Sequence, residues 1–96
     1  MAGPVFSPLA LKDLQDLLEY ISRDNPTAAI SYVELLEEKC QTLARYPLLG
    51  TARDSLAEGL RVFSVGNYAI YYRVELETVR IERVLHGARD ADRLFD

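Results

Sequence analysis

Gly66-Asn67 stands between two runs, LRVFSV and YAIYYRV, in which apolar side chains recur at every second position. Two residues between two alternating runs make a tight hairpin, and glycine supplies the positive φ that such a turn requires. The turn sets the register: Val65 faces Tyr68, Phe63 faces Ile70 and Arg61 faces Tyr72. Because side chains alternate along a strand, Phe63, Val65, Tyr68, Ile70, Tyr72 and Val74 then share one face, which is assigned to the core. A four-residue connection, Glu75 to Thr78, leads into VRIERVL. Continued pairing puts Val79, Ile81 and Leu85 on the core side, and Arg83 breaks the pattern, so an edge position or a bulge is expected there. The opposite face carries Val62, Ser64, Ala69, Tyr71, Arg73, Arg80, Glu82, Val84 and His86. It is half polar, fit either to meet solvent or to receive a partner.

The chain before the hairpin reads as two helices. Ser7-Pro8 is a start signal, since the hydroxyl caps orphan amides while proline at the first helical position gives up an amide that had no partner. Asn25-Pro26 repeats it. Between them Ala10, Leu11, Leu14, Leu17, Leu18 and Ile21 form a stripe about 120° wide, the mark of a helix with one buried face. Val5 and Phe6 suit a short strand at a sheet edge, where Pro4 is tolerated. The second helix is predicted from about Thr27 to Arg45 or Tyr46, ending because the residue before Pro47 resists helical geometry. Ala29, Val33, Leu36, Cys40 and Leu43 centre its apolar arc, with Tyr32, Ala28 and Leu35 on one side and Ile30 and Ala44 on the other, about 220° in all. That is about twice the width a helix needs to cover a sheet. The edge with Tyr32, Leu35 and Tyr46 is therefore assigned either to a partner or to packing on the first helix.

Ninety-six residues, 49% hydrophobic and 27% charged, describe one globular domain spanning 1–96. Eleven Lys and Arg against fifteen Asp and Glu give a net charge of −4, which argues against non-specific polyanion binding. Nine of the eleven cations are Arg, so a local cluster suited to bidentate contacts stays open. The single cysteine, Cys40, cannot form an internal disulfide, and no Cys/His spacing holds zinc. The amino-terminal MAGPVF has no basic stretch followed by an apolar run, and no window reaches the roughly 18 apolar residues of a membrane span. A cytoplasmic protein without metal or cofactor is expected.

Catalytic constellations are sparse. His86 is the only histidine, no GxSxG-like motif accompanies it, and Cys40 sits mid-stripe, where a thiol packs rather than reacts. The carboxylates Asp13, Asp16, Glu19, Glu37 and Glu38 read as solvated helix surface, and isolated Gly50, Gly59, Gly66 and Gly87 make no phosphate cradle. His86-Gly87-Ala88-Arg89-Asp90 carries more weight: a His and an Arg at a strand end, with Arg61 and Arg73 nearby, would form a small cationic site for phosphate or an acidic surface. The alternative is that His86 and Arg89 tie down the C-terminal segment by pairing with Asp90 or Asp92.

Helix, Asn-Pro, helix, then Tyr46-Pro47-Leu48-Leu49-Gly50, Gly59-Leu60-Arg61, Gly66-Asn67-Tyr68-Ala69-Ile70-Tyr71-Tyr72-Arg73 and Arg83-Val84-Leu85-His86-Gly87-Ala88-Arg89-Asp90 occur in that order. The series resembles the ParE/RelE superfamily of type II toxin-antitoxin toxins over nearly the whole chain. The resemblance implies an α+β fold: an N-terminal helical hairpin packed on one face of a three- to four-stranded antiparallel sheet, with a short C-terminal helical segment.

The superfamily holds two activities. Its RelE-like members are ribosome-dependent messenger-RNA endonucleases that use basic and aromatic groups on the open sheet face and at the C-terminus. At the matching positions this chain has Val62 for a Lys, Ala69 for an Arg and Phe95 for a Tyr, leaving only Arg89 as a basic counterpart. Valine, alanine and phenylalanine side chains transfer no protons. The ParE-like branch matches better and implies a non-enzymatic poison of DNA gyrase, acting on its A subunit and inhibiting growth, in a module that stabilises a plasmid or chromosome. A ParD-like antitoxin would neutralise it in a hetero-oligomer, and contact with DNA would be only indirect, through that antitoxin. Its disordered tail would fold onto Tyr32, Leu35, Tyr46, Val62, Tyr71 and Arg73, and the target would meet Arg61, His86, Arg89, Arg93 and Phe95. A RelE-like nuclease with a rearranged site, or a toxin-fold binding module with another target, are the alternatives.

Overall fold

A computed structural model describes residues 2–95. A two-residue strand β1 (Val5–Phe6) leads into helices α1 (Pro8–Ser22) and α2 (Pro26–Arg45). Strands β2 (Thr51–Ala52), β3 (Leu60–Val65), β4 (Tyr68–Val74) and β5 (Val79–His86) follow, and a 3₁₀ turn, Ala91–Arg93, comes last. Both caps form as the sequence predicts. Ser7 Oγ accepts from the Ala10 N–H at 3.0 Å and Asn25 Oδ1 accepts from the Ala28 N–H at 3.0 Å, while Pro8 and Pro26 each occupy a first helical position. The Ser7 hydroxyl also donates to the Glu82 carbonyl at 2.7 Å, so one side chain both starts α1 and fixes it to β5.

The sheet runs β1-β5-β4-β3-β2. It has five strands rather than three or four, and it is mixed: β1 pairs parallel to β5, and every other pair is antiparallel. The β3–β4 register is the one dictated by the turn, with Val65 opposite Tyr68 and Phe63 opposite Ile70. Gly66 has φ +58°, and among the described residues no residue but glycine has positive φ, so only the first central residue is left-handed, the type II′ pattern that matches strand twist. One face of the sheet meets the two helices. Leu14, Leu17, Leu36, Cys40 and Leu43 pack there against Val65, Ile70, Tyr72, Val79 and Ile81.

Arg83 does mark a bulge. Tyr72 pairs with Ile81 but Tyr71 pairs with Arg83, so Glu82 is the extra residue. One extra residue reverses the parity of everything beyond it. Val84, assigned from the sequence to the polar face, therefore lies in the helix-side core, and Leu85, assigned to that core, lies on the opposite face. The opposite face is not open: Leu60, Ala69, Tyr71, Leu85 and Leu94 form a second buried apolar cluster there, with Ala57 and Val62 packed against it. Leu94, on the residues after the 3₁₀ turn, closes it, and burying one such side chain contributes about 1.5–3 kcal/mol.

Two helix assignments also change. Leu11 belongs to the α1 stripe by spacing but is exposed, while Asp13, read as solvated surface, is buried. The reason is Arg83. Asp13 Oδ2 accepts from Arg83 Nε at 2.8 Å and from the Val84 N–H at 3.0 Å, and Oδ1 accepts from Arg83 Nη2 at 2.9 Å. The carboxylate satisfies both the guanidinium fork and a backbone donor of β5. Arg83 Nη1 then donates to the Arg93 carbonyl at 2.6 Å, holding the C-terminal turn.

Candidate interaction surfaces

The α2 edge divides in the folded chain. Leu35 and Tyr46 are exposed, as is the following Leu48-Leu49. Tyr32 is not available in the same way: its hydroxyl donates to the Val65 carbonyl at 2.6 Å and its ring meets Tyr68 edge-on at 5.5 Å. Burial, and then the neighbouring Tyr68, push its phenol above the ordinary tyrosine range. On the sheet, Tyr71 is only 7% exposed beneath the second apolar cluster and Val62 is half-buried. The exposed position expected for them does not exist, because Leu94 and Ala57 cover that face. Cys40 is fully buried, and burial pushes its thiol up to about 12, so it carries no nucleophile at neutral pH. Among the described residues no group of His, Cys, Asp and Glu is arranged to hold a metal, and no helix is long and apolar enough to cross a membrane.

The cationic site expected around His86 assembles only in part. Arg61 pairs with Tyr72, whereas His86 pairs with Tyr68 at the other end of β4. The Arg61 guanidinium instead donates to the carbonyls of Gly50 and Leu48, where it fixes the loop after α2. Arg73 likewise lies at the far end, opposite Leu60 and Arg80, and its Nη1 donates to the Glu58 carbonyl. The strand pairing separates these arginines from His86, a separation the hairpin register, with Arg61 opposite Tyr72, already implies.

His86 and Arg89 do come together. The Arg89 N–H donates to His86 Nδ1 at 3.0 Å, and the His86 ring meets Tyr68 edge-on at 5.3 Å. Arg89 reaches Asp90 through Nε at 3.1 Å and Nη2 at 2.9 Å. The guanidinium holds the Asp90 carboxyl below the usual carboxylate range, and the carboxylate raises Arg89 in turn. This is the tethering arrangement weighed against the cationic site. Arg89 also stacks 4.7 Å over the ring of Tyr20, with Arg23 at 6.0 Å from the same centroid. Sequence reasoning missed Tyr20, whose signal is an aromatic residue off the apolar stripe of α1. Tyr20, Arg23, Tyr68, Arg89, Asp90 and Arg93 line a cleft of about 350 Å³ between α1 and the C-terminal segment, and His86 stands outside it. Phe95 is exposed elsewhere, on the groove with Arg73 and Arg80.

The three positions that separate the two superfamily activities lie on or beside the covered face. Ala69 is buried within the second cluster, Val62 packs against it and Phe95 carries no hydroxyl. No acid or base reaches that face at Val62 or Ala69.

Comparisons place this geometry among known proteins. The family described as ParE toxin of type II toxin-antitoxin system, parDE, matches residues 5–91. The toxin ParE1 of Mycobacterium tuberculosis is 32% identical over 91 residues, which is 93% of each chain. The toxin RelE2 of Caulobacter vibrioides is 35% identical over 89 residues, 93% of this chain and 99% of its own. A solved structure of the chromosomal ParDE TA system from P. aeruginosa superimposes with a TM-score of 0.75 at 21% identity, covering 90% of this chain and 96% of its own.

Proposed function

This chain belongs to the ParE toxin family of type II toxin-antitoxin systems, and from that premise we propose that it is a non-enzymatic, cytoplasmic poison of DNA gyrase neutralised by a ParD-like antitoxin. Relatives named RelE stand beside those named ParE, so the choice of activity rests on the residues. One observation carries it: the sheet face on which a nuclease needs proton-transferring groups is filled by Leu60, Ala69, Tyr71, Leu85 and Leu94. At Val62 and Ala69 this apolar cluster offers neither a base to a ribose hydroxyl nor a cation to a phosphate, and the arginines of the same face, Arg73 and Arg80, stand beside Glu82 at its edge. Gyrase supercoiling and cleavage assays, run beside ribosome-programmed RNA cleavage, test the reading. Inhibited supercoiling with intact RNA supports it, and RNA cleavage with unaffected gyrase overturns it.

The target side of the proposal is the cleft lined by Arg89 and Arg93. Arg89→Ala removes the Asp90 fork, the Tyr20 stack and an interaction with Tyr68 at the edge of the core. Growth arrest is expected to fall at least tenfold on the viability scale while antitoxin binding persists. Full toxicity in a folded variant would remove Arg89 from the target surface.

On the antitoxin side, Leu35 is an exposed apolar residue of α2 on the edge assigned to a partner. Leu35→Glu is expected to weaken antitoxin binding about tenfold or more, the cost of putting a charge where an apolar anchor docks. Calorimetry that returns the parent affinity excludes this edge. Tyr71 does not serve the same purpose, since a charge at that buried position reports on folding.

A further inference from the structure

Arg73 and Arg80 stand directly opposite each other on β4 and β5. Like charges in that relation repel and destabilise a sheet unless something of opposite sign lies between them. Glu82, the bulged residue, is the carboxylate there: Oε1 is 2.9 Å from Arg80 Nε and Oε2 is 4.0 Å from Arg73 Nε. Among the described residues it is one negative charge for two positive ones. Its Oε1 is buried with no hydrogen bond of acceptable geometry, so even the closer contact is an ion pair without directional bonding. Both arginine side chains are 37% exposed. They border a groove of about 450 Å³ that has Leu60 and Leu94 beneath it and the exposed Leu9 and Phe95 beside it. In a chain of net charge −4 this is a local excess of cation next to exposed apolar side chains.

We infer that this groove is a docking site for an acidic, apolar segment of the antitoxin, one of whose carboxylates completes the Arg73–Arg80 pair while an adjacent apolar side chain packs on Phe95 and Leu9. The inference rests on the antitoxin reading above and adds the chemistry of the bound segment and a residue, Arg80, that organises it. Charge complementarity selects the occupant. A second carboxylate brings the cluster from +1 to neutrality, and a guanidinium fork presents donors in the plane a carboxylate accepts. A neutral helix would leave the excess charge partly desolvated beneath it, which is unfavourable.

The test uses the full chain and the product of the neighbouring reading frame, with affinity measured by calorimetry at low and high ionic strength. The parent complex is expected to weaken with salt. Arg80→Gln, whose side chain leaves the β4–β5 ladder untouched, is expected to lower affinity roughly tenfold and to flatten the salt dependence. Glu82→Gln is expected to act in the opposite sense and tighten the complex several-fold, because it removes the internal carboxylate that competes with the incoming one. A groove that only holds the fold together has both substitutions weakening binding or neither changing it. Either result, in variants that keep the parent circular dichroism and thermal midpoint, overturns the inference while leaving the antitoxin reading standing. It is also overturned if a single-stranded oligonucleotide, and not the antitoxin, responds to Arg80→Gln. If the parent does not bind the neighbouring product, the antitoxin reading fails, and this inference fails with it.

Discussion

Asp13→Ala is expected to cost about 3–5 kcal/mol of unfolding free energy, because it leaves the Arg83 guanidinium buried without its carboxylate. Both side chains are close to fully buried, at 5% and 4% exposure, and three hydrogen bonds end on the two carboxylate oxygens. Losing the carboxylate also strands the Val84 N–H, and each buried donor without a partner adds about 1–3 kcal/mol to the local cost. The pair need not be stabilising relative to an apolar core. Asp13→Leu combined with Arg83→Met is therefore expected to recover part of the loss, since well-packed apolar replacements of a buried ion pair are often neutral or better, while the Val84 N–H still lacks its acceptor. The double variant nevertheless loses the donor to the Arg93 carbonyl, so amide exchange in residues 91–94 should quicken while the β3–β4 hairpin keeps its protection. Urea unfolding with an unchanged m-value measures the first effect. A loss below about 1 kcal/mol for Asp13→Ala would show that water enters and solvates the arginine.

Gly50→Ala is expected to cost about 2–4 kcal/mol through a steric conflict that no neighbour can relieve. A Cβ at residue 50 would lie 2.6 Å from the Tyr72 hydroxyl oxygen, 2.7 Å from its Cε1 and 2.9 Å from the Val62 carbonyl. Tyr72 is wholly buried and held at its tip, where its hydroxyl accepts from the Gly50 N–H at 2.8 Å and donates to the Pro47 carbonyl at 2.7 Å. Moving the ring would break both bonds, and moving the loop would break the Arg61 contacts to the Gly50 carbonyl as well. Gly87→Ala is the control. Its added methyl would meet only the Asn67 carbonyl at 3.5 Å, and Gly87 does not have positive φ, so stability should stay within about 0.5 kcal/mol of the parent. Equal thermal midpoints for the two variants would refute the conflict at residue 50.

Much of the local structure is legible before any coordinates. Ser7-Pro8 and Asn25-Pro26 start helices where they should, because capping depends on chemistry within four residues. The β3–β4 register follows from a two-residue turn for the same reason. Legibility ends where one residue changes the parity of a strand. Arg83 announces a bulge, yet nothing in the sequence says that Glu82 is the residue left over, and the faces of Val84 and Leu85 depend on that single fact. Sites are harder still. His86 and Arg89 are three residues apart and meet; Arg61 and Arg73, expected beside them, are carried to the other end of the sheet by strand pairing.

The sequence by itself determined the two helices, the hairpin register and membership in a family recognised by ordered short motifs, since all of these depend on contacts or spacings local to the chain. Only the tertiary structure decided what the sheet presents to a partner. Asp13 and Arg83 are 70 residues apart, and Leu94 covers Tyr71 from beyond the last strand. Each of these depends on which distant groups share a desolvated space, and burial turns a surface carboxylate into an anchor and an exposed tyrosine into core.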